Sequence, residues 1–263
     1  MMRPRALLHP LLQWPWRIYE MAAMVVGLGL LALICLAWTP FALLLNPLLP
    51  ERHARRTGRA AIHVCFRLYL TLLRWLCFCR FDLTALQALA REPGPRIVVA
   101  NHPSLLDAVL LVACLPNAVC VMKGSLMRNP LLGAGARMAR YIVNDTPLTM
   151  IRQAIRTLAE GDASLIIFPE GTRTATPPVG PCAATAGLIA ARSGVAVQAL
   201  IIEMSTPYLG KRWPLWRPPR LPLTCRLRLG RRFDRLPAPQ RFGADIEVHF
   251  RDELSRPTPF PHD

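Results

Sequence analysis

Two residues five apart, His102 and Asp107, are the pair in this chain best suited by type to move a proton. They lie in Asn101-His102-Pro103-Ser104-Leu105-Leu106-Asp107, directly after the apolar run Arg96–Ala100. That run reads as a short buried strand. Pro103 suits the first position of a helix, so the pair falls where a strand ends and a helix begins. Ligands and catalytic groups collect at such places in α/β sheets. One turn of backbone lets Asp107 hydrogen-bond Nδ1 of His102 and leaves Nε2 free to take a proton. A second polar stretch, Phe168-Pro169-Glu170-Gly171-Thr172-Arg173, closes another apolar run at 164–168. Arg173 is a candidate phosphate clamp, because a guanidinium binds phosphate through two parallel hydrogen bonds. Gly171 allows close backbone approach, and Glu170 can hydrogen-bond an acceptor hydroxyl or fix the loop. The plain alternatives are a structural His102–Asp107 hydrogen bond and a Glu170–Arg173 salt bridge that shapes its loop.

Asn101, His102 and Asp107 spell Asn-His-x4-Asp, and 168–173 spells Phe-Pro-Glu-Gly-Thr-Arg. In this order and at this separation the two stretches resemble the lysophospholipid acyltransferase family, which acylates glycerol-3-phosphate or lysophosphatidic acid. The resemblance covers residues 96–202. It implies a membrane-bound enzyme that moves a fatty acyl group from acyl-CoA or acyl-carrier protein to a lysophospholipid hydroxyl. The acceptor it implies first is 1-acyl-sn-glycerol-3-phosphate, giving phosphatidic acid. His102 is then the base and Asp107 its orienting partner, with no acyl-enzyme, no cofactor and no metal. Asn101, Lys123, Glu170, Gly171, Thr172 and Arg173 are the substrate-binding residues the resemblance implies. Lys123 has a solvated surface lysine as its plain alternative. The chain departs from the family pattern twice. Asn144, in Tyr141-Ile142-Val143-Asn144-Asp145, stands where members commonly carry an arginine, and the last motif, at 197–201, lacks its usual proline. Other readings are therefore an acyltransferase for a non-phosphate lipid, such as a lyso-ornithine or aryl-polyene lipid, and a non-catalytic membrane adaptor. A serine lipase is a poor fit, since there is no Gly-x-Ser-x-Gly elbow.

The 263 residues suffice for one domain with an appendage. Over half of them are apolar and the net charge is +16. The charge is concentrated in the flanks, with ten basic against two acidic residues in 1–80 and twelve against six in 211–263. An anionic membrane surface explains that excess. No nucleic-acid module is recognisable, so nucleic acid is not an expected partner. The eight cysteines lack metal-ligand spacing and read as small apolar residues in a reducing compartment.

Residues 21–50 carry no charge, and about twenty helical residues cross a bilayer's hydrocarbon. Arg3, Arg5 and Arg17 precede the run, while Arg52, Arg55, Arg56 and Arg59 follow it. The positive-inside rule cannot satisfy both ends with one crossing. A single span and a hairpin broken at Thr39-Pro40 or Asn46-Pro47 both stay open, and both place His102 at the cytoplasmic face of a bacterial inner membrane. Residues 59–80 read either as a helix lying in the interface, with Trp75 and Tyr69, or as an ordinary helix covering a sheet.

The remainder alternates: strands at 96–100, 118–122, 141–143, 164–168 and 195–202, and helices at 104–114, 124–140, 149–160 and 183–192. A basic, proline-rich loop at 211–221, an edge strand at 224–229 and a closing helix at 244–254 follow. The fold class expected is α/β, a mixed, mostly parallel sheet covered by helices, with an N-terminal membrane-associated helical segment. The domains expected are an anchor with its interfacial helix, 1–80, and an acyltransferase α/β domain, 81–263.

Overall fold

A computed structural model of the chain describes residues 10–214 and 216–256, with side chains from residue 14 onward. Arg3 and Arg5 lie outside the described residues. Seven strands form one sheet in the order β1-β7-β6-β2-β5-β3-β4. They are β1 (Cys79–Asp82), β2 (Arg96–Ala100), β3 (Ala118–Met122), β4 (Ile142–Val143), β5 (Ser164–Ile167), β6 (Val197–Met204) and β7 (Leu223–Phe233). Strands β6, β2, β5, β3 and β4 run parallel, and β7 lies antiparallel to β6. The sheet is thus mixed and mostly parallel, as its alternation with helices predicts.

The central strands are apolar throughout because both faces are covered. Val98, Ala100, Ile166 and Leu200 face one core, together with Leu70 and Leu110. Ile97, Val99, Leu165 and Ala199 face the other, together with Ile151, Ile189 and Phe250. The period of two is that of a strand. Helices α2 (Glu51–Leu76) and α4 (Leu106–Cys114) close the first core, with α3 (Thr84–Arg91) beside them. Helices α7 (Pro147–Leu158), α8 (Thr185–Ser193) and α9 (Phe242–Ser255) close the second. Short helices α5 (Gly124–Met127) and α6 (Gly133–Met138) fill the connection from β3 to β4.

The structure corrects the sequence reading at the flanks. The first strand is β1, not β2, and it pairs with β7, so β7 is interior and β1 is the edge. The Cys-Arg-Phe-Asp segment of β1 is too short to show a period, and it follows a long helix of similar composition. The boundary drawn after Arg80 falls inside β1. Of the two readings of 59–80, burial of Arg59 favours the helix that covers the sheet. Arg59 donates to Ala139 O at 3.1 Å and to Glu160 Oε2 at 2.8 Å. Helix α2 covers the sheet on that side and leaves Val64, Leu68 and Trp75 exposed on the other.

Helix α1 (Pro10–Leu48) does not break at Pro40. It runs about 58 Å at 1.5 Å per residue, and the chain reverses at 49–50 into α2. The α/β domain touches it near both ends. Glu20 Oε1 accepts from Leu221 N at 3.2 Å, and Asn46 Oδ1 accepts from Arg140 at 3.0 Å. The reversal is followed by charges tied to the domain, with Arg55 and Arg59 both paired to Glu160. Val25, Leu36, Leu43 and Leu44 lie exposed on the outer flank. Among the described residues α1 is the one helix long and apolar enough to cross a membrane.

Candidate active site

The candidate residues stand just beyond the carboxyl ends of four parallel strands. His102 follows β2, Lys123 follows β3, Asn144 follows β4, and Gly171–Arg173 follow β5. Ligands bind at this edge in open α/β sheets because the strand-to-helix loops converge there.

Asp107 is fixed by the start of α4. Its Oδ2 accepts the backbone N–H of Ser104 at 2.7 Å, while Ser104 Oγ accepts from Leu106 N at 3.2 Å. This is the reciprocal logic of a capping box. The same Oδ2 lies 2.8 Å from His102 Nδ1. Asp107 is fully buried, and its Oδ1 has no hydrogen-bond partner among the described residues. Burial therefore pushes its pKa upward, and the hydrogen bonds from His102 and Ser104 pull against that shift. Because Nδ1 is engaged, Nε2 is the ring nitrogen left for substrate. Phe168 stacks on the imidazole, with centroids 4.0 Å apart and planes 17° apart.

The second stretch holds the first by its backbone. Glu170 Oε1 accepts from His102 N at 3.1 Å and from Thr174 Oγ1 at 2.8 Å, and its Oε2 accepts from Gly180 N at 2.9 Å. Thr174 N donates to His102 O at 2.7 Å. Both oxygens of Glu170 are thus committed, and its partners are backbone and threonine; the Glu170–Arg173 salt bridge does not form. Arg173 Nη1 donates instead to the carbonyls of Leu209 and Gly210, at 2.9 and 3.0 Å.

Asn101 is likewise engaged by the fold. It is buried, and its amide donates to Ile202 O at 2.9 Å and accepts from Ile202 N at 2.8 Å. A side-chain amide here continues the β2–β6 ladder past its end. Asn101 hydrogen-bonds the backbone of Ile202, and Glu170 that of His102 and Gly180, which suits both to positioning the loop that carries His102.

His102, Lys123, Asn144, Gly171, Thr172 and Arg173 line one cavity of about 410 Å³. Its polar residues gather at the sheet edge. Its walls are apolar and come from α1, α2, α4 and α6, among them Ile34, Ile62, Val109 and Ala136. Sequence reasoning found the polar end and missed the walls, whose residues look like any buried helix face. It also gave no role to Phe168 or Thr174, whose signal lay only in their place within and beside the second motif. Cys35, Cys65 and Cys120 are among the wall residues, in keeping with their reading as small apolar groups.

A proton-accepting imidazole at the mouth of an apolar pocket suits chemistry on a hydroxyl beside a long hydrocarbon. Two cations, Lys123 and Arg173, share that mouth and suit a nearby negative charge.

Residues 82–203 match the Acyltransferase family. A 1-acyl-sn-glycerol-3-phosphate acyltransferase from Helicobacter pylori is 32% identical over 108 residues, covering 38% of this chain and 46% of the relative. The chloroplastic 1-acyl-sn-glycerol-3-phosphate acyltransferase BAT2 from Brassica napus is 26% identical over 181 residues, covering 66% of this chain and 49% of the relative. The chain therefore spans about half the length of these curated relatives. The crystal structure of PlsC, the 1-acyl-sn-glycerophosphate acyltransferase from Thermotoga maritima, superposes with a TM-score of 0.69 at 19% identity. The superposition covers 93% of this chain and all of that one, and the two share a fold.

Proposed function

We propose, from the match of residues 82–203 to the Acyltransferase family and the likeness to 1-acyl-sn-glycerol-3-phosphate acyltransferases, that this chain acylates a lysophospholipid hydroxyl, with 1-acyl-sn-glycerol-3-phosphate as acceptor and phosphatidic acid as product. The observation that carries this reading is the His102–Asp107 pair, 2.8 Å apart, at the mouth of an apolar cavity. The acyl chain of acyl-CoA or acyl-carrier protein occupies the cavity and presents its thioester to His102. Nε2 takes the proton of the acceptor hydroxyl as the oxygen attacks the thioester carbonyl. The tetrahedral intermediate collapses, the carbon–sulfur bond breaks, and the imidazolium returns the proton to the departing thiolate. Asp107 holds the ring and stabilises its charged form. General base catalysis supplies on the order of 10²–10⁴ in rate, and positioning between cavity and cations supplies more.

Lys123 and Arg173 hold the acceptor phosphate in this scheme, Arg173 as a guanidinium already steadied by Leu209 and Gly210. Asn144, also at the mouth, favours a second reading in which the acceptor headgroup lacks phosphate, since a third cation is missing there. Transfer assays with phosphate-bearing and phosphate-free lysolipids separate the two.

The enzyme docks on the cytoplasmic face of a bacterial inner membrane along the outer flank of α1. The helix touches the α/β domain near both ends and the charges after its reversal are paired, which disfavours both an upright span and an inserted hairpin tip. An in-plane helix needs only one apolar flank, and α1 exposes one. Basic side chains in the flanks of the sequence add attraction to anionic lipids.

A further inference from the structure

A second cavity, of about 600 Å³, lies between the N-terminal part of α1 and the loop that joins β6 to β7. Its charged lining is Arg17 and Glu20 from α1 and Arg217 and Arg220 from the loop. Glu20 is buried and accepts from Leu221 N at 3.2 Å. The three arginines are exposed, and among the described residues none of them pairs with a carboxylate. Three arginines against one carboxylate leave the lining cationic. Arg217 is steadied by Trp213: its guanidinium lies 4.5 Å from the indole centroid, and Trp213 Nε1 donates to Arg217 O at 2.8 Å. Pro218 and Pro219, also in the lining, stiffen the backbone between the two loop arginines. Guanidinium groups of this kind suit the oxygens of a phosphate.

The loop runs along the carboxyl edge of the sheet. Strand β7 is antiparallel to β6 and Met204 pairs with Cys225, so residues 205–222 leave and re-enter at the carboxyl end of β6. That is also the edge where His102 follows β2, since β2 and β6 are parallel. The same loop supplies Leu209 O, which accepts from Arg173 and from Leu105 N. On α1, Met21 lines the cavity and also belongs to an exposed apolar stripe. Trp14, Ile18, Met21 and Val25 recur at steps of four, three and four, which keeps one helix face. Leu36 and Leu43, eleven and eighteen residues beyond Val25, are about three and five turns further on and continue that face. Trp216 is exposed on the loop, and tryptophan favours the headgroup level of a bilayer. A free phosphate gains nothing from the stripe, whereas a phospholipid lays its acyl chains along it.

We propose that the second cavity binds the phosphate headgroup of one anionic bilayer phospholipid, with its chains against the α1 stripe beside Met21. The lipid is a docking ligand and not a substrate. It fixes the carboxyl edge of the sheet, and with it the loop that holds Arg173, at headgroup depth. Diffuse attraction of basic flanks to an anionic surface depends on total charge; this site depends on three particular arginines. The binding requires no acyl transfer.

The test is native mass spectrometry of the full chain, released from detergent micelles holding equal amounts of phosphatidylglycerol and phosphatidylcholine. Phosphatidylglycerol should be retained about tenfold better than phosphatidylcholine, whose choline cation offsets its phosphate. Arg17→Ala, Arg217→Ala and Arg220→Ala should each weaken that retention about tenfold, the worth of one charge-assisted hydrogen bond. The joint substitution Arg192→Ala and Arg235→Ala is the control. Both residues are exposed at the opposite edge of the sheet, Arg192 in the last turn of α8 ahead of β6 and Arg235 just after Phe233, the partner of Val197. The control should retain phosphatidylglycerol within about twofold of the wild type. In the three arginine variants the KM for acyl-CoA and for acyl-carrier protein should stay unchanged. Equal retention of both lipids by the wild type overturns the proposal. So does an equal loss in the control, which marks diffuse attraction, or a raised donor KM with lipid retention unchanged, which assigns the cavity to the acyl donor.

Discussion

Glu170 accepts the backbone N–H of His102 at 3.1 Å across 68 residues of sequence. The carbonyl of His102 is held by Thr174 N at 2.7 Å. The loop after β5 therefore grips the histidine by its main chain, and Asp107 grips it by its ring. Two motifs distant in sequence thus act as one device for aiming Nε2.

Glu170→Gln places an amide where Gly180 N needs an acceptor, so the grip on His102 loosens while Arg173 stays held by Leu209 and Gly210. The expected result is a fall in kcat of about 10- to 100-fold, the scale of a slight misplacement of catalytic groups. The KM for lysolipid should stay within about twofold. A rise in KM with unchanged kcat shows instead that Glu170 binds the acceptor directly.

Asp107 couples activity against stability. Its pKa is raised in the fold by burial, so the folded state disfavours the carboxylate. The stability this group contributes is complete below the unfolded value, about 3.9. It is lost as pH rises through the higher folded value. Asp107→Asn suffers no such loss. Its Tm should exceed that of the wild type at pH 7, with the gap closing toward pH 4, while transfer falls by about 10²–10⁴. A variant less stable than the wild type at pH 7 contradicts the direction assigned to the shift.

Lys123 bears on the headgroup. Lys123→Ala should raise the KM for 1-acyl-sn-glycerol-3-phosphate by about tenfold, as expected for one charged hydrogen bond to phosphate. A phosphate-free lysolipid should be indifferent to the change. Equal losses with both acceptors assign Lys123 to the donor or to the fold.

Helix α1 can be tested without touching the site. Leu36→Glu and Leu44→Glu put charges on its exposed flank and should sharply reduce flotation with anionic vesicles, leaving Tm within a few degrees. Undiminished flotation removes α1 from the membrane contact.

Much of this was legible from the sequence. Strands β2, β3 and β5 are short apolar runs buried on both faces, and such runs announce themselves. His102 and Asp107 could be paired because five residues span about one turn of chain, although Pro103 lies three residues ahead of α4 and not at its first position. Edge strand β1 could not be read, since four residues after a long helix show no period. Helix α3 is only eight residues long and stops at Glu92-Pro93-Gly94-Pro95, too short for its periodicity to stand out. The positioning of His102 by Asn101 and Glu170 rests on partners at Ile202 and Gly180, and only the fold brings those together. The apolar walls were invisible for a different reason: Ile34, Ile62 and Val109 carry no mark that separates a cavity wall from a packed core.

The most direct measurement is acyl transfer in detergent by purified wild type and His102→Ala, with labelled acyl-CoA and acyl-carrier protein and a panel of lysolipids. Transfer to 1-acyl-sn-glycerol-3-phosphate should fall at least 10²-fold in the variant while its Tm stays near that of the wild type. Wild-type protein that transfers to no acceptor, or a variant that transfers as well as the wild type, contradicts this reading.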